Sequence, residues 1–109
     1  MTYDAIVVGG GPAGSSCARR AAQHGLDVLL LDKAQHPRRK ACGGGFRAGL
    51  PDLLDFDIAP AIDRTACGSH VFSPSRTKVI CTKDQVTGYT VKRRVFDNLL
   101  LEKAVESGA

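Results

Sequence analysis

Three glycines with the spacing of a diphosphate-binding turn are the residues best suited to do chemistry. The segment Gly9-Gly-Gly-Pro-Ala-Gly14 matches the pattern G-x-G-x-x-G. In such a turn the first glycine lets the chain leave a strand sharply, the second lets a pyrophosphate approach the backbone, and the third lets a helix pack closely on the strand. Free N–H groups at the helix N-terminus also favour phosphate. The residues that we predict to bind the cofactor here are Gly9, Gly11, Pro12, Ala13 and Gly14.

An acid stands where a dinucleotide site needs one. Asp32 follows Gly14 by 18 residues and ends an apolar run, a position at which a carboxylate accepts hydrogen bonds from ribose hydroxyls. A carboxylate there repels a 2′-phosphate, which favours FAD or NAD over NADP. Lys33, the next residue, is included in the predicted site. The turn itself does not separate FAD from NAD, because both cofactors contain ADP.

The elements that must position these residues form a βαβ unit over residues 3–32. Tyr3–Val8 is predicted to be a buried strand, Pro12–His24 a helix with Pro in its first turn, and Leu26–Leu31 a second strand. A right-handed crossover makes the two strands parallel. The predicted fold class is therefore α/β, a Rossmann-like FAD/NAD(P)-binding fold. The alternative is an ordinary βα turn with Asp32 as a solvated acid.

The remainder of the chain is less regular. Residues 33–49 are basic and then glycine-rich, which predicts a long loop, and residues 50–58 suit a short helix. Residues 69–74 and 78–82 are predicted to pair as antiparallel strands, and residues 88–91 to be extended.

A second long helix is predicted over residues 94–107, where apolar residues 96, 99, 100 and 104 share one face. The chain ends where a further strand is expected, and a parallel sheet of two strands is not a finished domain. We therefore expect a fold truncated after this second helix.

Composition and charge exclude several classes of protein. The net charge of +4 is concentrated in residues 36–40, and the chain has no Trp and two Tyr, which argues against nucleic-acid binding. That basic run could face phosphates, an anionic substrate, a membrane or only solvent. The chain has no C-x-x-C pair and no cysteine–histidine spacing typical of a zinc finger, so no metal site is predicted. Without a signal-like segment, we expect a cytoplasmic protein, with peripheral membrane contact left open.

Four stretches together resemble one family. Residues 3–16 resemble the amino end of FAD-dependent oxidoreductases of the glutathione reductase and p-hydroxybenzoate hydroxylase type. Residues 29–33, the loop 37–46 ending in Cys-Gly-Gly-Gly-Phe, and residues 88–97 with R-x-x-F-D are most similar to the geranylgeranyl reductase family. Asp32 stands where this family commonly has Glu, and the family's Gly-Asp-Ala segment is absent from the 109 residues.

This resemblance implies an FAD-dependent enzyme that reduces prenyl double bonds of a lipid or chlorophyll precursor. NAD(P)H or ferredoxin would supply the electrons. Residues 1–109 would be the N-terminal part of the FAD-binding domain, with a flavin-proximal loop at 33–49 and a hairpin at about 68–91 that begins the substrate domain. The alternatives are an aromatic-ring hydroxylase of the same fold and a non-catalytic dinucleotide-binding piece. We expect the chain alone to be inactive.

The resemblance also assigns site residues. It places Cys42 near the flavin ring, with Gly43 and Gly44 allowing backbone approach, and it directs Arg93 toward the FAD phosphates. Basic neighbours would lower the pKa of the Cys42 thiol. A cation at a helix start opposes the helix dipole, which a bound anion would offset. The alternatives are an ordinary thiol and solvated arginines. The other cysteines, 17, 67 and 81, are predicted to be core or strand residues.

Overall fold

The computed structural model describes residues 1–109, which form two compact units. The first unit comprises Met1–Ala41 and Arg93–Ala109, and the second comprises Cys42–Lys92. The predicted flavin-proximal loop 33–49 is therefore divided between the two units at Cys42.

The first unit contains the predicted βαβ motif. Strand β1 (Ala5–Val8) leads through the glycine turn to helix α1 (Pro12–Gln23), and strand β2 (Val28–Leu31) follows. The two strands pair in parallel, with Ala5 opposite Val28 and Val8 opposite Leu31. The Rossmann-like prediction is confirmed, although both strands are shorter than predicted. Helix α2 (Arg93–Glu106) begins one residue before the predicted start.

Small side chains make the core of the first unit. Ala18 of α1 and Ala104 of α2 are wholly buried, and Val28 is nearly so. Alanine lets two helices approach each other and one sheet face closely, because it places only a methyl group between the backbones. Strand β1 is not buried as predicted, because Ala5 and Val7 are only partly buried. Ile6 and Val8 are 61% and 81% exposed, since both helices of the unit pack on the opposite face.

The second unit is antiparallel and has two sheets. Strand β3 (Gly45–Arg47) and strand β4 (Ile62–Ala66) flank β7 (Gly88–Val91), while β5 (Gly68–Phe72) pairs with β6 (Lys78–Thr82).

Three predictions for the second unit needed correction. Residues 45–47 are not loop but strand, because β7 supplies the pairing partner for β3 from far along the chain. The hairpin ends at Thr82 rather than near residue 91, since β7 pairs with β3 and β4. The short helix predicted at 50–58 is a single 3₁₀ turn over Pro51–Leu53, and β4 was not predicted.

Of the three cysteines predicted to be core or strand residues, Cys17 and Cys67 are neither. All four are exposed. Cys17 faces outward on α1, because the buried positions of that helix belong to Ser15 and Ala18. Cys81 is a strand residue as predicted, whereas Cys67 precedes β5 and lies in no strand.

No helix in the chain combines the length and the apolar character that a membrane span requires.

Candidate dinucleotide-binding site

The glycine turn has the backbone geometry that its spacing predicts. Gly9 has a φ of +104°, a conformation that glycine adopts without strain. Its N–H donates to the Leu31 carbonyl at 2.7 Å, which continues the parallel pairing into the turn. A Cβ on Gly14 would collide with the Gly9 carbonyl oxygen. Gly14 is therefore required for the close approach of α1 to the turn.

Ser15 stabilises this turn through two hydrogen bonds. Its side chain is wholly buried, and its hydroxyl donates to the Gly10 carbonyl at 3.1 Å. Its N–H donates to the Gly11 carbonyl at 2.9 Å, which is the first hydrogen bond of α1. Ser15 is not among the residues predicted from the sequence to form the site. A hydroxyl at this position of the motif was the available signal.

Gly11 keeps an open surface beside the turn. The nearest atom to a Cβ built on Gly11 would be Arg38 Nη2, at 3.8 Å. The backbone φ of −74° and ψ of −175° suits any residue, so conformational freedom does not explain this glycine. A surface without a side chain is what a ligand needs for contact with the backbone.

Asp32 holds a central position at the end of β2. Its Oδ2 accepts the Gly10 N–H at 2.5 Å, and its Oδ1 accepts the Ala34 N–H at 2.7 Å. These two donors, with Ala34 the stronger, lower the pKa of the Asp32 carboxyl, and nearby His36 adds to the shift. Asp32 is therefore ionised at neutral pH. A carboxylate has about four acceptor positions, so capacity remains for ribose hydroxyls.

His36, the first residue of the basic run 36–40, was not predicted to be part of the site. Its side chain is 2% exposed, and its Nε2 lies 3.7 Å from Asp32 Oδ2. The imidazole thus packs beside the Asp32 carboxylate. Its position four residues after Asp32 was a visible signal, although spacing alone does not establish contact outside a helix.

The turn and Asp32 open into one cleft of about 630 Å³ within the first unit. That volume lies in the range of small-molecule and cofactor sites. The predicted site residues that line it are Gly9, Gly11, Asp32, Lys33 and Arg93. Three residues of the basic run, Arg38, Arg39 and Lys40, also line it. The wall is therefore strongly cationic around a single acid, which matches a ligand that carries a diphosphate.

Arg93 lies at the cleft, but its pairing differs from the expectation. Its Nε donates to Asp97 Oδ1 at 2.7 Å and its Nη2 to Asp97 Oδ2 at 3.0 Å. A bound anion was expected to offset the cost of a cation at a helix start, whereas Asp97, one turn later, supplies a negative partner.

Pro12, Ala13 and Gly14 shape the start of α1 but do not line the cleft. Cys42, Gly43 and Gly44 belong to the second unit. There the Gly44 N–H donates to Cys42 Sγ at 3.3 Å, and the Gly44 carbonyl accepts the Val91 N–H at 2.9 Å. The flavin-side role of these three residues remains a prediction.

Known proteins match the fold and this turn. The sequence profile of the NAD(P)-binding Rossmann-like domain matches residues 7–51. The chain is 42% identical over 115 residues to digeranylgeranylglycerophospholipid reductase 1 of Methanopyrus kandleri, covering 100% of this chain and 29% of that protein. A solved geranylgeranyl bacteriochlorophyll reductase-like protein of Thermoplasma acidophilum is 33% identical with a TM-score of 0.83, over 98% of this chain and 28% of that one.

Along its whole length the chain is thus similar to proteins of the geranylgeranyl reductase family. It matches the N-terminal part of its relatives and spans less than a third of the length of those curated proteins. The structure of a flavin-dependent brominase, Bmp2, is also similar, at 29% identity and a TM-score of 0.72 over 98% of this chain and 28% of that one. Geranylgeranyl reductases and a flavin-dependent halogenase thus share the fold of this region.

Proposed function

We propose that this chain binds the ADP half of FAD and forms the cofactor-binding part of an FAD-dependent reductase that acts on prenyl double bonds. The observation that carries the proposal is the cleft in which the glycine turn, Asp32 and a cationic wall meet, in a chain that matches geranylgeranyl reductases along its whole length. The same comparison favours a reductase over an aromatic-ring hydroxylase.

Each part of an ADP group has a partner of suitable chemistry in the cleft. The open backbone at Gly11 and the start of α1 would hold the diphosphate. The ionised Asp32 would accept hydrogen bonds from the ribose hydroxyls. Lys33 and Arg93 would add positive charge beside the phosphates. Asp32 would also disfavour a 2′-phosphate, since the two negative charges repel each other.

FAD, when bound, supplies the redox chemistry, because its reduced ring transfers hydride. A reduced nicotinamide or a ferredoxin would be the electron source. The M. kandleri relative is named for a digeranylgeranylglycerophospholipid, so we propose a prenylated lipid or a chlorophyll precursor as the substrate. Such a substrate favours a cytoplasmic protein in peripheral contact with a membrane. Cys42 is proposed to lie on the flavin side.

The proposal predicts weak FAD binding and no turnover by the 109-residue chain, because its relatives are more than three times as long. The test is a fluorescence titration with FAD, followed by competition with ADP and with 2′-phospho-ADP. ADP should displace FAD, and 2′-phospho-ADP should compete less well. In the Asp32→Asn variant the difference in affinity between ADP and 2′-phospho-ADP should become smaller.

Two results would count against the proposal. One is failure of ADP to compete with FAD, which would reject the assigned cleft. The other is robust NADPH-dependent reduction of a prenyl lipid by the 109 residues alone, which would reject their role as a binding part only.

A further inference from the structure

A wholly buried carboxyl group joins the loop after β2 to the start of α2. The Asp97 side chain is 0% exposed and contacts two guanidinium groups. Arg93 approaches it side-on through Nε and Nη2, and Arg38 Nη1 lies 2.7 Å from Oδ2. A carboxyl buried to this degree requires such partners, because an unpaired charge in the interior is strongly unfavourable.

The cluster lies beside the cleft, which both Arg38 and Arg93 line. The two arginines therefore place positive charge at the cleft while they contact the Asp97 carboxylate. A diphosphate in the cleft would be attracted by this charge.

Arg38 extends from Asp97 to the glycine turn. Its Nη1 faces Asp97, while its Nη2 lies 3.8 Å from the position of a Cβ on Gly11. Arginine has five N–H donors in a planar fork that suits phosphate oxygens. The carboxyl of Asp97 therefore occupies one side of the fork, and the other side is presented where Gly11 leaves the backbone open.

We propose that Arg38 binds the diphosphate of the cofactor and that Asp97 is the positioning residue that holds Arg38 and Arg93 at the cleft. This inference rests on the proposed function and deepens it, since it names the side chain that meets the diphosphate. The competing explanation is a purely structural clamp that attaches the loop to α2.

Arg38→Gln separates these two explanations when ADP and adenosine are compared by calorimetry. Loss of a charge-assisted contact to the diphosphate should weaken ADP binding about tenfold or more, with adenosine binding changed less than about twofold. Arg38→Lys should recover only part of the loss, because an ammonium lacks the planar fork. The matched control is Arg20→Gln, which removes the same charge from the last turn of α1 and should leave both affinities unchanged.

Asp97→Asn tests the positioning role by the direction of its effect. Removing a negative charge beside the cleft should by itself tighten ADP binding, most strongly at low salt. If Asp97 instead orients the arginines, the variant should weaken ADP binding, by about tenfold. Tighter binding would overturn the positioning role. If Asp97→Asn does not fold, the ADP-to-adenosine comparison for Arg38→Gln still decides the proposal.

Different experimental results would overturn this inference and the proposed function. A wild-type chain that takes up neither FAD nor ADP overturns both. A wild-type chain that binds ADP, with Arg38→Gln changed only in thermal stability, overturns the inference and leaves the proposed function in place.

Discussion

In the first unit two helices cover one face of a parallel sheet with alanine side chains, whereas in the second unit every residue of the hairpin β5–β6 is exposed. The buried residues of the second unit are few and include Ile58, Ala61 and Val91. Stability is not uniform in such a chain, because local unfolding is easiest where little apolar surface is buried. The cleft therefore lies in the better packed of the two units.

The difference has a functional reason. A site that depends on the position of backbone N–H groups needs a rigid support. Ser15, which is buried under the turn, and Asp97, which is buried under the arginines, supply that support in the first unit. Side chains on the hairpin, such as Phe72 and Ile80, are 60% and 55% exposed and have no comparable packing within the 109 residues.

The largest effect is expected from Gly14→Val, which would break the first unit. The new Cβ would meet the Gly9 carbonyl oxygen, and backbone cannot move aside as a flexible side chain can. We expect a loss of at least about 2 kcal/mol in the free energy of unfolding, measured with urea. The control is Gly49→Ala in the second unit, where a Cβ would meet no atom within 4 Å. Equal stability of the two variants would contradict the assigned close approach.

Gly11→Val should separate binding from folding within the first unit. The position has an ordinary φ and open space, so the free energy of unfolding should change by less than about 1 kcal/mol. FAD and ADP binding should be lost, since the side chain would occupy the place of the pyrophosphate. Unchanged flavin occupancy in an equilibrium titration would show that the diphosphate does not lie against this turn.

The pH dependence of the free energy of unfolding should show that the ionised Asp32 carboxylate stabilises the fold. Its pKa is lower in the folded chain than the value of about 3.9 in unfolded chains. The ionised form is therefore the one that the fold favours, and its stabilisation is present above the unfolded pKa. That stabilisation is lost as the pH falls through the folded pKa. The stability difference between wild type and Asp32→Asn should shrink as the pH falls below about pH 4. A difference that does not change with pH would mean that the two N–H donors do not favour the charged form.

The smallest effect is expected from Val79→Thr in the hairpin, compared with Val28→Thr in the first unit. Val79 is 55% exposed and Val28 is 3% exposed. The exchange of a methyl group for a hydroxyl should cost less than about 0.5 kcal/mol at the surface and about 1–3 kcal/mol in the core, where the hydroxyl lacks a partner. Similar unfolding midpoints for the two variants would mean that the hairpin is as well packed as the βαβ core.

The βαβ unit, the glycine turn and the acid at the end of β2 could all be predicted from the amino-acid sequence. Each of these depends on neighbours within a few residues: a short apolar run, a left-handed glycine, a helix start. Helix α2 was predictable for the same reason, since its buried residues Phe96, Leu100 and Ala104 repeat at helical spacing.

The remaining features depend on contacts between segments that are far apart in the sequence. Strand β3 exists because β7, more than forty residues later, pairs with it, and no local pattern reports such a partner. The pairing of Asp97 with both Arg38 and Arg93 likewise brings together residues from two distant segments. Burial of a charged group is favourable only when its partners arrive with it. For that reason the glycine turn could be predicted from its own residues, whereas the pairing of the two arginines with Asp97 is seen only in the folded chain.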